Sequence, residues 1–127
     1  MQMKLSVIIP VYNSQTTIGP LVQTLFEELN TVNLEVVLVN DCSKDQSERV
    51  CENLARHNKQ VKFISLRKNS GEHNAVICGL AYCTGTYAVI MDDDFQNPPS
   101  EVMRLLHAAV DGHYDVVYSR YEEKHHS

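Results

Sequence analysis

The chain has 127 residues, a formal net charge of −5, 43% apolar residues and 21% charged residues. That is one domain's worth of sequence, long enough to bury about two thirds of its unfolded surface. Its acidity argues against a general nucleic-acid binder, and no run approaches the ~18 consecutive apolar residues that a membrane span requires.

In chain order, Leu5 to Ile9 is the first short apolar run, and it leads into Pro10-Val11-Tyr12-Asn13-Ser14. Ile18, Leu21, Val22, Leu25, Phe26 and Leu29 then repeat at helical spacing. A second run, Leu34 to Val39, leads into Asn40-Asp41-Cys42-Ser43-Lys44-Asp45, whose polar side chains suit the cap of a helix carrying Val50 and Leu54 and ending near Asn58. Val61 to Leu66 is the third run, followed by Arg67-Lys68-Asn69-Ser70-Gly71 and a helical stripe at Val76 and Leu80. Tyr87 to Met91 is the fourth, followed by Asp92-Asp93-Asp94-Phe95-Gln96-Asn97-Pro98-Pro99. Pro99 suits the first turn of a helix carrying Val102, Leu105, Leu106 and Ala109, with Gly112 at its end, and Asp115 to Tyr118 is the fifth strand.

These strands are near-continuous in apolar residues, so they are buried on both faces, as in a parallel sheet. The expected fold is α/β, a three-layer α/β/α sandwich with a Rossmann-like, mostly parallel sheet. No repeat or linker divides residues 1–127, which predicts a single domain. Because the fifth strand ends so near Ser127, that domain is expected to be C-terminally truncated. Leu5 to Ile9 is too short for a signal peptide. Cys42, Cys51, Cys78 and Cys83 form no Cys-x-x-Cys pair and have no zinc-site spacing to the histidines, so they read as reduced cytosolic thiols. His125 and His126 receive no ligand role.

In a parallel sheet, ligands bind outside the carboxyl ends of the strands, and here every such end is polar. Continued as an extended segment, Asp92 and Asp94 would share a face about 6.6 Å apart, with Gln96 next and Asp93 opposite. Two such charges repel by about 3 kcal/mol at an effective dielectric near 20, which a cation relieves. Oxygen donors favour Mg²⁺ or Mn²⁺. Tyr12 could stack on a flat base, Asp41 could accept from a base N–H, and the metal with Arg67 or Lys68 could meet phosphate charge. Each piece also has a bland reading: an acidic turn for the aspartates, a helix cap for Asp41 to Asp45, a permissive turn for Gly71. Neither Gly-x-x-x-x-Gly-Lys-Ser/Thr nor Gly-x-Gly-x-x-Gly occurs, which disfavours P-loop enzymes and nicotinamide dehydrogenases.

Taken together, Ser6-Val7-Ile8-Ile9-Pro10-Val11-Tyr12-Asn13, Val39-Asn40-Asp41-Cys42-Ser43-Lys44-Asp45, Arg67-Lys68-Asn69-Ser70-Gly71 with Asn74-Ala75 and Gly79-Leu80, and Asp92-Asp93-Asp94 resemble, in order, the blocks of family 2 glycosyltransferases of the GT-A fold. Asp92 to Pro99 looks most like the branch that glycosylates a polyprenyl phosphate, including dolichol-phosphate mannose synthase and undecaprenyl-phosphate glycosyltransferases. Phe95, where that branch usually has Leu, and Ser100, ahead of Glu101, depart from its pattern.

The resemblance implies a metal held by Asp92, Asp94 and Gln96, with Asp94 the catalytic residue. It implies a nucleotide-sugar site drawn from Pro10, Val11, Tyr12, Asn13, Asp41, Ser43, Asn69, Gly71, Asn74, Asp92 and Asp93, with Arg120 a weaker basic candidate near the diphosphate. The implied reaction is inverting transfer from a UDP- or GDP-linked sugar to a polyprenyl phosphate, at the cytoplasmic face of a membrane touched only through residues beyond Ser127. Transfer to a saccharide hydroxyl is the alternative acceptor. A metal-dependent phosphotransferase and a Mg²⁺-binding regulatory or nucleotide-sensing module are the other classes that clustered aspartates serve.

Overall fold

The computed structural model describes residues 4–94, 98–112 and 116–118. Strands and helices alternate: β1 (Lys4–Val11), α1 (Ile18–Glu28), β2 (Asn33–Asn40), α2 (Ser47–His57), β3 (Val61–Ser65), α3 (Glu72–Tyr82), β4 (Tyr87–Ile90), α4 (Glu101–Gly112) and β5 (Val116–Tyr118). The five strands form one sheet in the order β3-β2-β1-β4-β5, and every pair is parallel.

Two cores lie on either side of this sheet. Leu5, Val7, Ile9 and Val11 of β1 join Val36 and Leu38 of β2 and the apolar stripes of α1, α2 and α4. Their alternate neighbours Ile8, Val37, Val39, Ala88 and Ile90 join Ala75 and Val76 of α3. Residues of opposite parity thus feed opposite cores, which is why β1 and β2 read as unbroken apolar runs.

Gly79 sets the spacing on the α3 side, since a Cβ there would stand 2.5 Å from Ile8 Cγ2 and 3.2 Å from Val39 Cγ2. The helix approaches the sheet closely because that side chain is absent. At the other end of α3, Gly71 precedes the first turn with φ 89° and ψ 154°, a region open essentially to glycine alone. The α2 start is held by Asp45, whose Oδ1 accepts from Ser47 N at 2.9 Å, and Asn58 ends that helix as its sequence suggests.

β1 runs two residues beyond its apolar stretch, through Pro10. Ile8 faces β4, its carbonyl accepting from Met91 N at 3.1 Å. Pro10, two residues on, faces the same way, but the β1–β4 pairing ends at Ile8 and Ile90. The missing proline N–H therefore costs no ladder bond.

Candidate active site

The strand order reverses between β1 and β4, so the loops leaving their carboxyl ends diverge and leave a crevice at the switch point of the sheet. A cleft of about 280 Å³ opens there, lined by Pro10, Val11, Tyr12, Asp41, Asn69, Gly71, Glu72, Asp92 and Asp93. Four strand ends supply these residues, as the polar character of the ends predicts. Tyr12 is 40% exposed and lines the opening.

Of the predicted nucleotide-sugar residues, Asn13, Ser43 and Asn74 stand outside this lining. They tie loops together instead. Asn13 N donates to Ser43 Oγ at 3.0 Å, and its Oδ1 accepts from Lys44 N at 2.8 Å, joining the β1–α1 and β2–α2 loops. Asn74 Nδ2 donates to Ser70 O at 2.6 Å within the first turn of α3. Asn13 and Cys42 both adopt left-handed backbone, φ 50° and φ 58°, so the rim carries local strain on two loops.

Asp41 is 5% exposed, and its carboxylate holds the N-terminal end of α3. Oδ1 accepts from Ser70 N at 2.7 Å and Oδ2 from Gly71 N at 3.0 Å. A carboxylate has about four lone-pair sites, so these two bonds leave acceptor capacity toward the cleft. Its placement at the helix N-terminus also puts negative charge where the helix dipole favours it.

Asp92 and Asp93 meet different neighbours, Glu72 of α3 on one side and the β1–α1 loop on the other. β4 ends at Ile90, the chain bends at Asp93 and Asp94, and Asp92 and Asp93 both line the cleft. Asp93 turns its Oδ2 to the β1–α1 loop, where it accepts from Tyr12 N at 2.8 Å and Ser14 Oγ at 2.7 Å. Burial, followed by the charges of Glu72, Asp94 and Asp93, raises the Asp92 carboxyl to about 6. Asp93 is also raised by burial, against the lowering effect of its bonds from Tyr12 and Ser14. Crowded carboxylates of this kind are what a bound cation would relieve.

Among the described residues, no three His, Cys, Asp or Glu side chains gather as a metal-holding group. Gln96 and Arg120, the remaining predicted metal and basic residues, lie outside the described residues. Glu72 was not anticipated, although its position directly after Gly71, on the first turn of a helix that starts at the rim, is the signal that would have found it.

The profile of Glycosyl transferase family 2 matches residues 6–126. The undecaprenyl-phosphate 4-deoxy-4-formamido-L-arabinose transferase of Enterobacter sp. (strain 638) is 39% identical over 117 residues, covering 90% of this chain and 36% of the relative. The enzyme of the same name from Yersinia pestis (strain Pestoides F) is 38% identical over 117 residues, again covering 90% and 36%. The chain therefore spans about a third of the length of the curated relatives it matches.

Among solved structures, S. aureus TarS 1-349 in complex with UDP-GlcNAc is 30% identical with a TM-score of 0.67, covering 87% of this chain and 32% of that one. The mannosyltransferase PcManGT from Pyrobaculum calidifontis, in complex with GDP-Man and Mn²⁺, shares the fold with a TM-score of 0.70 at 23% identity, covering 81% of this chain and 31% of that one. With the strand order, the switch-point cleft and a profile match over nearly all its residues, the chain belongs to glycosyl transferase family 2.

Proposed function

We propose that this chain forms the donor-binding part of an inverting, metal-dependent glycosyltransferase that moves a sugar from a UDP- or GDP-linked donor to a polyprenyl phosphate. The observation that carries the reading is what the switch-point cleft brings together: the aromatic Tyr12, the carboxylates Asp41, Glu72 and Asp92, and the Asn69 and Gly71 rim. An aromatic ring suits a base, and carboxylates gathered beside it suit a divalent cation that carries a diphosphate.

The donor set fits that cation. Mg²⁺ is commonly held by one or two carboxylates with water and substrate phosphates completing the shell, and Asp92 and Asp94 are the carboxylates available, with Gln96 a further oxygen donor. Bound there, the ion would neutralise charge developing on the departing diphosphate. Tyr12, Asp41 and the backbone around Asn69 and Gly71 would bind and orient the nucleoside.

The relatives named above act on undecaprenyl phosphate by their names, which supports the acceptor class. A phosphate monoester is already ionised near neutral pH, so its oxygen can attack the anomeric carbon as the bond to the diphosphate breaks. No protein base is obligatory for that step, whereas a saccharide hydroxyl would need one. Such an acceptor places the reaction at the cytoplasmic face of a membrane, although among the described residues no helix is long and apolar enough to cross one.

Melting curves with UDP-GlcNAc, UDP-glucose and GDP-mannose, each with Mn²⁺ and with chelator, test the reading. A donor at 100 times its dissociation constant adds about 2.7 kcal/mol. Stabilisation by at least one donor in Mn²⁺ alone is expected, and no stabilisation by any of them would overturn the proposal.

A further inference from the structure

The β1–α1 loop and the segment bearing Asp92 and Asp94 follow different strands, about 80 residues apart in sequence, yet they are fastened at one residue, Asp93. Tyr12 follows Ile8 and Pro10 on the edge of β1 that faces β4. Pro10 has no N–H to offer, and β4 has already ended at Ile90, so the Tyr12 N–H meets no strand backbone. Asp93 Oδ2 accepts it at 2.8 Å, and the same oxygen accepts Ser14 Oγ at 2.7 Å. A third bond runs the same way, Thr17 Oγ1 donating to the Asp93 carbonyl at 3.0 Å. Ser14 is itself anchored, its N–H donating to the buried Ser47 Oγ at 2.7 Å.

We propose that Asp93 is a positioning residue: its side chain takes over the role of the missing β4 backbone and locks the loop carrying Tyr12 at a fixed distance from Asp92 and Asp94, so that the base-binding and metal-binding halves of the cleft act as one unit. This assignment rests on the glycosyltransferase reading above and changes the role of Asp93 from ligand contact to support. A donor spans both halves of the cleft. If the loop drifts relative to the aspartates, base and diphosphate cannot be satisfied together, and donor affinity falls even with every contacting side chain in place.

Because both bonds end on one oxygen, the role has a specific signature. Asp93→Asn keeps an oxygen that accepts from Tyr12 N and Ser14 Oγ while removing the charge, whereas Asp93→Ala removes both acceptors. A ligand or metal-contacting carboxylate would lose function in both variants.

The test titrates UDP and GDP, each with Mn²⁺, into the parent chain, Asp93→Asn, Asp93→Ala and Ser14→Ala, and follows hydrogen exchange at the Tyr12 amide. Asp93→Ala is expected to weaken nucleotide binding about tenfold and to speed Tyr12 exchange, Ser14→Ala to weaken it about threefold, and Asp93→Asn to stay within about threefold of the parent with slow exchange. If Asp93→Ala does not fold, Asp93→Asn decides alone: retained affinity and slow exchange support the latch. A loss of tenfold or more in Asp93→Asn with slow exchange preserved overturns it in favour of direct contact. Failure of the parent chain itself to bind either nucleotide would overturn the functional reading, and the assignment with it.

Discussion

The two ends of the sheet hold carboxylates in opposite ways. At the amino ends of the strands, Glu35 of β2 is 3% exposed and fully partnered. Lys62 Nζ lies 2.8 Å and Lys4 Nζ 3.5 Å from its Oε1, Ser6 Oγ donates to Oε2 at 2.7 Å, and Thr84 donates its N–H at 2.8 Å and its hydroxyl at 3.0 Å. Burial alone would raise this carboxyl, but the bonds from Lys62, Ser6 and Thr84 outweigh it and hold it at about 2. At the carboxyl ends, Asp92 is raised to about 6 by burial and by Glu72, Asp94 and Asp93.

The contrast separates a carboxylate held by its own chain's cations from one assigned a binding role in the proposed function. Glu35 meets cations from its own chain and stitches β1, β2, β3 and the α3–β4 connection together. The rim carboxylates Asp92 and Asp93 are raised by burial, and Glu72, Asp94 and Asp93 add to the rise at Asp92. On the proposed reading, Glu35 serves stability at one end of the sheet and the rim carboxylates serve binding at the other.

The sharpest way to break the comparison is to neutralise one carboxylate at each end. Asp94→Asn should weaken Mn²⁺-dependent UDP or GDP binding by on the order of 100-fold, about 2.7 kcal/mol, with little change in urea midpoint. Calorimetry and urea melts read the two effects separately. Glu35→Ala should do the reverse. Removing the partner of Lys62 and of the Thr84 N–H should cost about 3 kcal/mol of folding stability in a urea melt, while the folded fraction keeps its nucleotide affinity.

Acid sharpens the same point. The Glu35 pKa lies below its ordinary 4.5, so its contribution is fully present above pH 4.5 and is lost as pH falls toward about 2. Across that window the parent chain should lose on the order of 2 kcal/mol more than Glu35→Gln, allowing for the partial exposure of both lysines. Urea midpoints of the two proteins at pH 6 and pH 3 measure it. The smallest effect concerns shape: Gly71→Ala meets no atom within 4 Å, so its cost of about 1–2 kcal/mol should come from the positive φ alone.

Much of this division was legible from the chain. The switch from unbroken apolar runs to helical spacing identifies the nine elements among the described residues, and once the sheet is parallel the loops after its strands must share a rim, which brings Tyr12, Asp41, Asn69, Gly71 and Asp92 together. Two features were hidden for physical reasons. Spacing sets Asp93 opposite Asp92 but does not reveal that its partners are Tyr12 N and Ser14 Oγ, 81 and 79 residues earlier. Glu35 sits inside an apolar run with no local mark, because its partners come from β1, β3 and the segment before β4. Long-range pairing of this kind depends on register, which a period in the sequence does not reveal.

The most direct measurement of the central claim is a calorimetric titration of UDP and of GDP into the parent chain, once with Mn²⁺ and once with excess chelator. A cleft lined by Asp41, Glu72, Asp92 and Asp93 predicts binding of at least one nucleotide with the metal and a loss of at least tenfold without it, about 1.4 kcal/mol. Equal affinity in both conditions, or no binding in either, would contradict the account.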